Sequence, residues 1–179
     1  MNHAHRIRYG SNHYGESALR QWINSNAAAN AWWQPSNIFD RPPSYANVAG
    51  FVNGLPADFV DVLGAVDIDV IRNAVYEVGG IKGGSYILRD KFFLPSMTEL
   101  GLGNNNSIAE GSVLAYYANA TQADWIKYDI ASSTTARYWW LRSPHPSSAS
   151  NVRRVGPDGA LTNTSAYDGT GAAPACVIM

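Results

Sequence analysis

Cysteine is all but missing from this 179-residue chain, where Cys176 stands alone. A single thiol excludes an internal disulfide framework and any metal site built on several thiolates. Charge is sparse as well. Charged residues make up 15% of the sequence, against about 25% in an average globular domain. The 13 Lys+Arg and 14 Asp+Glu leave a formal net charge of −1, so the chain exerts no general pull on nucleic acid or on an anionic membrane. No apolar run approaches the roughly 20 residues that span a bilayer. The opening Met1-Asn2-His3-Ala4-His5-Arg6 lacks the apolar core of a signal peptide. These absences predict a soluble protein whose partners are neither nucleic acid nor membrane. If it acts outside a cell, it gets there by lysis, by a dedicated secretion system or as part of a particle.

Hydrophobic residues make up 46%, which is ordinary for a folded protein. No internal repeat, charge block or long Gly/Ser linker divides the chain, so a single domain over residues 1–179 is expected. With so few charges, the polar surface must come from Asn, Ser, Thr and Gln. That composition is common in extracellular and virion-borne binding proteins.

Periodicity predicts a helix from Glu16 to Asn24, with Ala18, Leu19, Trp22 and Ile23 on one face and Glu16, Arg20 and Gln21 opposite. Pro35, Pro42 and Pro43 keep the following stretch irregular. A second helix is predicted from Pro56 to Leu63, with Gly64 as its stop. The alternation of Val66-Asp67-Ile68-Asp69-Val70 predicts a strand with one wet face. Phe92-Phe93-Leu94 reads as a short buried strand, and Ser96-Met97-Thr98-Glu99 as a capping box stopped by Gly101. Tyr138-Trp139-Trp140-Leu141 is an aromatic strand of which at most one tryptophan reaches the surface. Val152 to Val155, the turn Gly156-Pro157-Asp158-Gly159 and Ala160 to Thr162 form a hairpin, and Pro174 to Met179 a final strand. Helices first and small strands later is an α+β pattern.

Candidate chemistry is thin. The glycine-rich segment 79–84 lacks phosphate-loop spacing and reads as a mobile hairpin loop. His3 and His5 near a free amine offer only the generic Cu(II) or Ni(II) affinity of an exposed terminus, and His13 and His145 read as lone loop histidines. Asp58 with Asp61, and Asp67 with Asp69, are the closest acidic pairs; neither spacing places two carboxyls across a cleft, so both read as solvated faces. Cys176, in Ala175-Cys176-Val177-Ile178, reads as a buried inert thiol. The segment from Ser147 to Gly171 stands out. It is rich in Ser, Asn, Thr, Asp, Tyr and Gly and sits between two apolar strands. That is the composition of a recognition surface, and composition alone fits an ordinary polar connection equally well.

Several blocks together resemble a bacterial and phage domain-of-unknown-function family whose members carry a WLRSP…A-x-V…DG…GVRPA pattern. The matching residues are Tyr138-Trp139-Trp140-Leu141-Arg142-Ser143-Pro144, Asn151-Val152, Val155, Asp158-Gly159 and Gly171-Ala172-Ala173-Pro174-Ala175. Upstream, Tyr14 to Asn24 and Asp90 to Ser96 resemble two further blocks of that family. The family is similar to the formylglycine-generating-enzyme (sulfatase-modifying factor) branch of the C-type lectin fold. The resemblance implies a C-type-lectin-like α+β domain, two helices on a small, twisted, mostly antiparallel sheet with long loops. It places a ligand site on the C-terminal loops, at Ser147, Ser148, Ser150, Asn151, Arg153, Asn163, Ser165, Tyr167 and Asp168.

The departures narrow what carries over. The oxidase of that branch needs two cysteines, and this chain has one. The calcium tripeptides of sugar-binding lectins, Glu-Pro-Asn and Gln-Pro-Asp, do not occur. Ala173 replaces the arginine of the terminal motif, which bears on any charge pair made there with an acidic residue such as Glu99; Arg142 is expected to tie its strand to carbonyls or a carboxylate. The expected function is a non-enzymatic receptor-binding domain of a phage or phage-like particle. It would recognise a host-surface protein or glycan with no metal or cofactor, and display as a homo-oligomer would raise its avidity. The alternative is a structural or decoration protein of a virion that binds other virion proteins, favoured if the stretch from Trp32-Trp33 to Phe51 exposes large apolar contacts.

Overall fold

The computed structural model describes residues 11–72, 83–105 and 107–179. His3, His5, Val75-Tyr76 and residues 79–82 of the glycine-rich segment lie outside them, and the readings made there are not taken further.

After one 3-10 turn at Tyr14–Glu16, helix α1 covers Ala18–Ile23. It is shorter than the periodicity predicts because polar side chains claim both ends. The Ser17 hydroxyl caps the first turn by accepting from the Arg20 amide at 3.1 Å. At the other end Asn24 leaves the helix and pairs like a strand with Phe92. Its Nδ2 donates to the Phe92 carbonyl at 2.8 Å and its Oδ1 accepts from the Phe92 amide at 3.0 Å. Ile23 is fully buried, and Leu19 and Trp22 pack against the same core. Arg20, expected on the wet face, forks onto Asp90 at 2.8 and 2.7 Å.

The proline-rich stretch is a long loop whose ends meet. The Val52 amide donates to the Ser25 carbonyl at 3.0 Å and the Gly50 amide to that of Ala27 at 2.9 Å. Inside it, the Trp22 and Trp32 indoles donate to the carbonyls of Ala49 and Val48. The Tyr45 ring stacks on Trp32 at 5.7 Å and meets Trp22 edge-on. Trp32 is buried, and Trp33 and Phe51 are half-buried.

Helix α2 spans only Ala57–Asp61, with Pro56 as its N-cap. Leu63 and Gly64 are not its end but a two-residue strand, β1 (Leu63–Gly64), drawn off by pairing with the C-terminal strand opposite Ile178 and Val177. Strands β2 (Val66–Ile71) and β3 (Ser85–Asp90) form a six-pair antiparallel hairpin. As alternation predicts, Ile68 and Val70 are buried, and Asp67 faces out, where it meets Arg89 at 2.9 Å. Strand β4 (Phe92–Phe93) follows, then β5 (Lys127–Asp129) and β6 (Ser132–Arg137), then β7 (Trp139–Pro144), β8 (Asn151–Val155), β9 (Leu161–Ser165) and β10 (Ala175–Ile178).

The described residues thus form an α+β, mostly β structure in which all strand pairs are antiparallel. The strands lie in four small sheets, β1-β10-β4, β2-β3, β5-β6 and β7-β8-β9, rather than in the single sheet expected. The ladders end early for local reasons. Beyond β4 the Leu94 amide turns to the Tyr14 hydroxyl, and Pro95 after it has no amide to pair. In β7 the register shifts between Trp140 and Pro144, and the Arg142 amide bonds the Pro95 carbonyl instead of β8.

Strand β7 is buried on both faces and divides two cores. Trp140 enters the first with Tyr14, Ile23, Ile68 and Val70, while Trp139 and Leu141 enter the second with Met97, Leu100 and Val155. Neither tryptophan reaches the surface, because each side of the strand has its own core. No helix among the described residues is long and apolar enough to cross a membrane.

Candidate functional site

The site is built on β7, and β7 is fixed by Arg142. Its guanidinium is fully buried and every one of its five N–H groups is used. Two fork onto Glu99 at 2.6 and 2.7 Å; the others reach the carbonyls of Asp69, Leu94 and Glu110 at 2.9, 2.9 and 3.1 Å. Glu99 is the capping-box glutamate predicted from sequence: its carboxylate also accepts from the Ser96 amide, and the Glu99 amide donates back to the Ser96 hydroxyl. The turn closes as a Schellman motif, Leu102 amide to Met97 carbonyl and Gly101 amide to Thr98 carbonyl, with Gly101 at φ +76°. The charge pair in doubt over Ala173 is therefore made between Glu99 and Arg142. Sequence gave no sign of Glu110, which is fully buried beside them. It accepts from the Ile71 amide and the Ser143 hydroxyl, and burial pushes its carboxyl above the ordinary value.

The β8–β9 register distributes the predicted ligand residues. Asn151, Arg153, Asn163 and Ser165 share one face, since Asn151 pairs with Ser165 and Arg153 with Asn163. Val152, Arg154, Thr162 and Thr164 share the other. Ser148 and Ser150 belong to the turn before β8. The Ser148 hydroxyl accepts from the amides of Ser150 and Asn151, and Asn12 Nδ2 holds the carbonyls of Ser148 and Asn151 at 2.7 and 2.8 Å. Ser150 is buried, whereas Ser147 is exposed, its amide donating to His145 Nδ1. Tyr167 and Asp168 are exposed in the turn after β9, where Asp168 accepts from the Thr164 hydroxyl.

Tyr167 and Asp168 border a cleft of about 660 Å³ floored by Trp140 and Val152. Its far wall is the closed loop, through Trp33, Tyr45 and the Asp40-Arg41 pair. None of these wall residues is among the ligand residues expected from sequence, although an aromatic, proline-dense loop was the available signal. Burial holds the Tyr45 hydroxyl protonated, its pKa pushed up to about 12. A second, more open depression of about 830 Å³ runs from Phe51 past Lys127, Tyr138 and Ile130 to Pro174.

Other candidates move. His13 is buried and stacked on Tyr86 at 5.3 Å rather than a surface histidine, because the Tyr14–Glu16 turn folds it inward. Cys176 is half-buried rather than buried, and burial raises its thiol pKa. Among the described residues no three His, Cys, Asp or Glu side chains converge as a metal site would require.

The family model of a domain of unknown function, DUF6273, matches residues 1–179. The chain belongs to that family. No curated protein and no solved structure matches it. A domain-of-unknown-function family thus spans the whole chain, and in this DUF6273 domain the Trp139–Pro144 strand and the capping turn form one buried unit.

Proposed function

We propose that this DUF6273 domain is a non-enzymatic binding module of a phage or phage-like particle, or of a secreted bacterial protein. Its C-type-lectin-like plan, akin to the formylglycine-generating-enzyme branch, carries a ligand site on the C-terminal loops. It acts in the virion or outside the cell and binds a host-surface protein or glycan. The reading rests on one observation, a cleft of about 660 Å³ between the turn at Tyr167-Asp168 and the aromatic loop at Trp33 and Tyr45. That volume lies within the range of small-ligand sites, about 300–1,000 Å³. Its lining combines apolar rings with a few exposed hydrogen-bonding groups, and its floor is a strand locked by a fully satisfied arginine.

The alternative of a virion structural protein called for exposed apolar surface from Trp32 to Phe51. There Trp32 is buried and Trp33 and Phe51 are half-buried, whereas Ile38 and Val48 are exposed, and those two side chains are what favours it. The test is binding of fluorescent, multimerised protein to a panel of candidate host cells, with Trp33→Ala and Tyr167→Ala/Asp168→Ala as variants. Saturable binding that the cleft variants abolish supports the reading. Stable binding to purified particle proteins with none to cells assigns the domain to virion structure instead.

A further inference from the structure

Strand β8 carries two adjacent arginines that point to opposite faces of the hairpin. Arg154 lies 3.9 Å from the Tyr138 ring centroid and reaches the Thr170 hydroxyl. Arg153 has no such partner. It is half-buried, its Nε is sealed from solvent without an acceptor, and it joins no ion pair among the described residues. Burial holds its pKa below the ordinary arginine value, and among the described residues no carboxylate offsets it. The Nε of Arg154 is likewise sealed without an acceptor, but its guanidinium lies over the Tyr138 ring, while Arg142 forks onto Glu99 and Arg20 onto Asp90. A partly desolvated cation without an anion is costly unless a ligand supplies one.

The groups around Arg153 suit such a ligand. Asn163 lies directly opposite in the ladder; its Oδ1 accepts from Asn151 Nδ2 at 3.2 Å, which leaves its own Nδ2 to donate. His145 is near enough that the charge of Arg153 lowers its pKa. Asn151, Asn163 and Ser165 on this face bear amides and a hydroxyl, while Val155 and Leu161 at its other end pack in the second core. Val152, on the opposite face, lines the cleft, so this surface is separate from it.

We propose that Arg153, with Asn163 and His145 beside it, forms a second binding site that takes the carboxylate or sulfate group of an acidic saccharide. The guanidinium fork engages two oxygens of the anion, and the amides of the β8–β9 face meet sugar hydroxyls.

The test is an NMR titration of the intact protein, following Arg153 Nε and the Asn163 side-chain amide, with inorganic sulfate, glucuronate, glucose and a short acidic peptide as probes. The expected result is saturable shifts with glucuronate or sulfate and none with glucose. The stronger of the two anions identifies the group. Arg153→Gln weakens binding more than about tenfold, and Arg153→Lys, which keeps charge but loses the fork, falls between. Asn163→Ala weakens binding with the charge intact, and Tyr167→Ala in the cleft leaves it unchanged. Equal response to glucose, undiminished binding by Arg153→Gln, saturation by the peptide alone, or no saturation by either anion overturns the proposal.

Discussion

Glu99 and Arg142 meet fork to fork at 2.6 and 2.7 Å, with the guanidinium fully buried and the carboxylate nearly so. Glu99 also closes the cap of the 96–101 turn, and Arg142 holds the carbonyls of Asp69, Leu94 and Glu110. One pair therefore fixes β7 to β2, to the segment after β4 and to the capping turn. Arg142→Met leaves Glu99 buried without its counter-charge and takes the guanidinium donors from the carbonyls of Asp69, Leu94 and Glu110, of which Glu110 keeps the Ser96 hydroxyl. A loss of about 3–5 kcal/mol in unfolding free energy is expected by chemical denaturation. Arg142→Lys keeps the charge but cannot span five acceptors, so it falls between wild type and methionine. A loss below about 1 kcal/mol for Arg142→Met contradicts the assignment of this pair as the lock of β7.

Glu110 sets a pH dependence of the opposite sign to that of ordinary surface carboxylates. Burial raises its folded pKa above the unfolded value despite hydrogen bonds from Ser143 and Ile71 and the charge of Arg142. Its contribution is therefore fully present below the unfolded carboxylate value and is lost as pH rises through the folded one. Glu110→Gln keeps the shape and an acceptor for the Ile71 amide while removing the titration. The variant is expected to be more stable than wild type at pH 7, with the gap closing as pH falls toward the unfolded carboxylate value of about 4.3. Thermal unfolding across that range reads it, and parallel curves for the two proteins contradict it.

The parts of this fold that are legible in sequence are those set by near neighbours. The capping box at Ser96 to Glu99, the wet and dry faces of Val66 to Val70 and the hairpin about Gly156 to Gly159 each depend on residues within a few positions, and each is present. What sequence could not supply is set by distant chain. Leu63-Gly64 read as a helix end until β10 claims them as a strand. Trp139-Trp140 carry no mark of two cores, because alternation says only that they part. The second role of Glu99 lies 43 residues from its partner. For the candidate site, composition singles out the segment from Ser147 to Gly171 but not its division between two faces. Only the register places Arg153 and Asn163 on one face, away from Tyr167 and Asp168 at the cleft.

The far wall of the cleft depends on how tightly its loop is fastened. A Cβ added to Gly50 would lie 2.2 Å from the Ser25 carbonyl oxygen, a backbone atom that cannot swing aside. Gly50→Ala should force the loop base apart, costing about 1–3 kcal/mol in stability and weakening any ligand that bridges Tyr45 and Tyr167. Gly54→Ala, four residues on, meets nothing within 4 Å and serves as the control. Intrinsic fluorescence of the Trp22 and Trp32 pair should change with Gly50→Ala and not with Gly54→Ala. Identical spectra and stability for the two variants contradict this account of the loop.

His145 reports on the second site without any ligand. Its pKa is lowered first by burial and then by the positive charge of Arg153. Arg153→Gln removes the second cause and leaves the first, so the imidazole should titrate higher than in wild type yet still below the ordinary histidine value of about 6.5. An anion seated on Arg153 should shift the pKa of His145 in the same direction, because it cancels the same charge. By linkage, that anion must bind more tightly as pH falls through the His145 transition. Following the His145 ring protons by NMR in wild type, in Arg153→Gln and in wild type with saturating glucuronate measures all three. A pKa that the substitution leaves in place would mean that Arg153 and His145 do not share a field, and the site would then lose its second member.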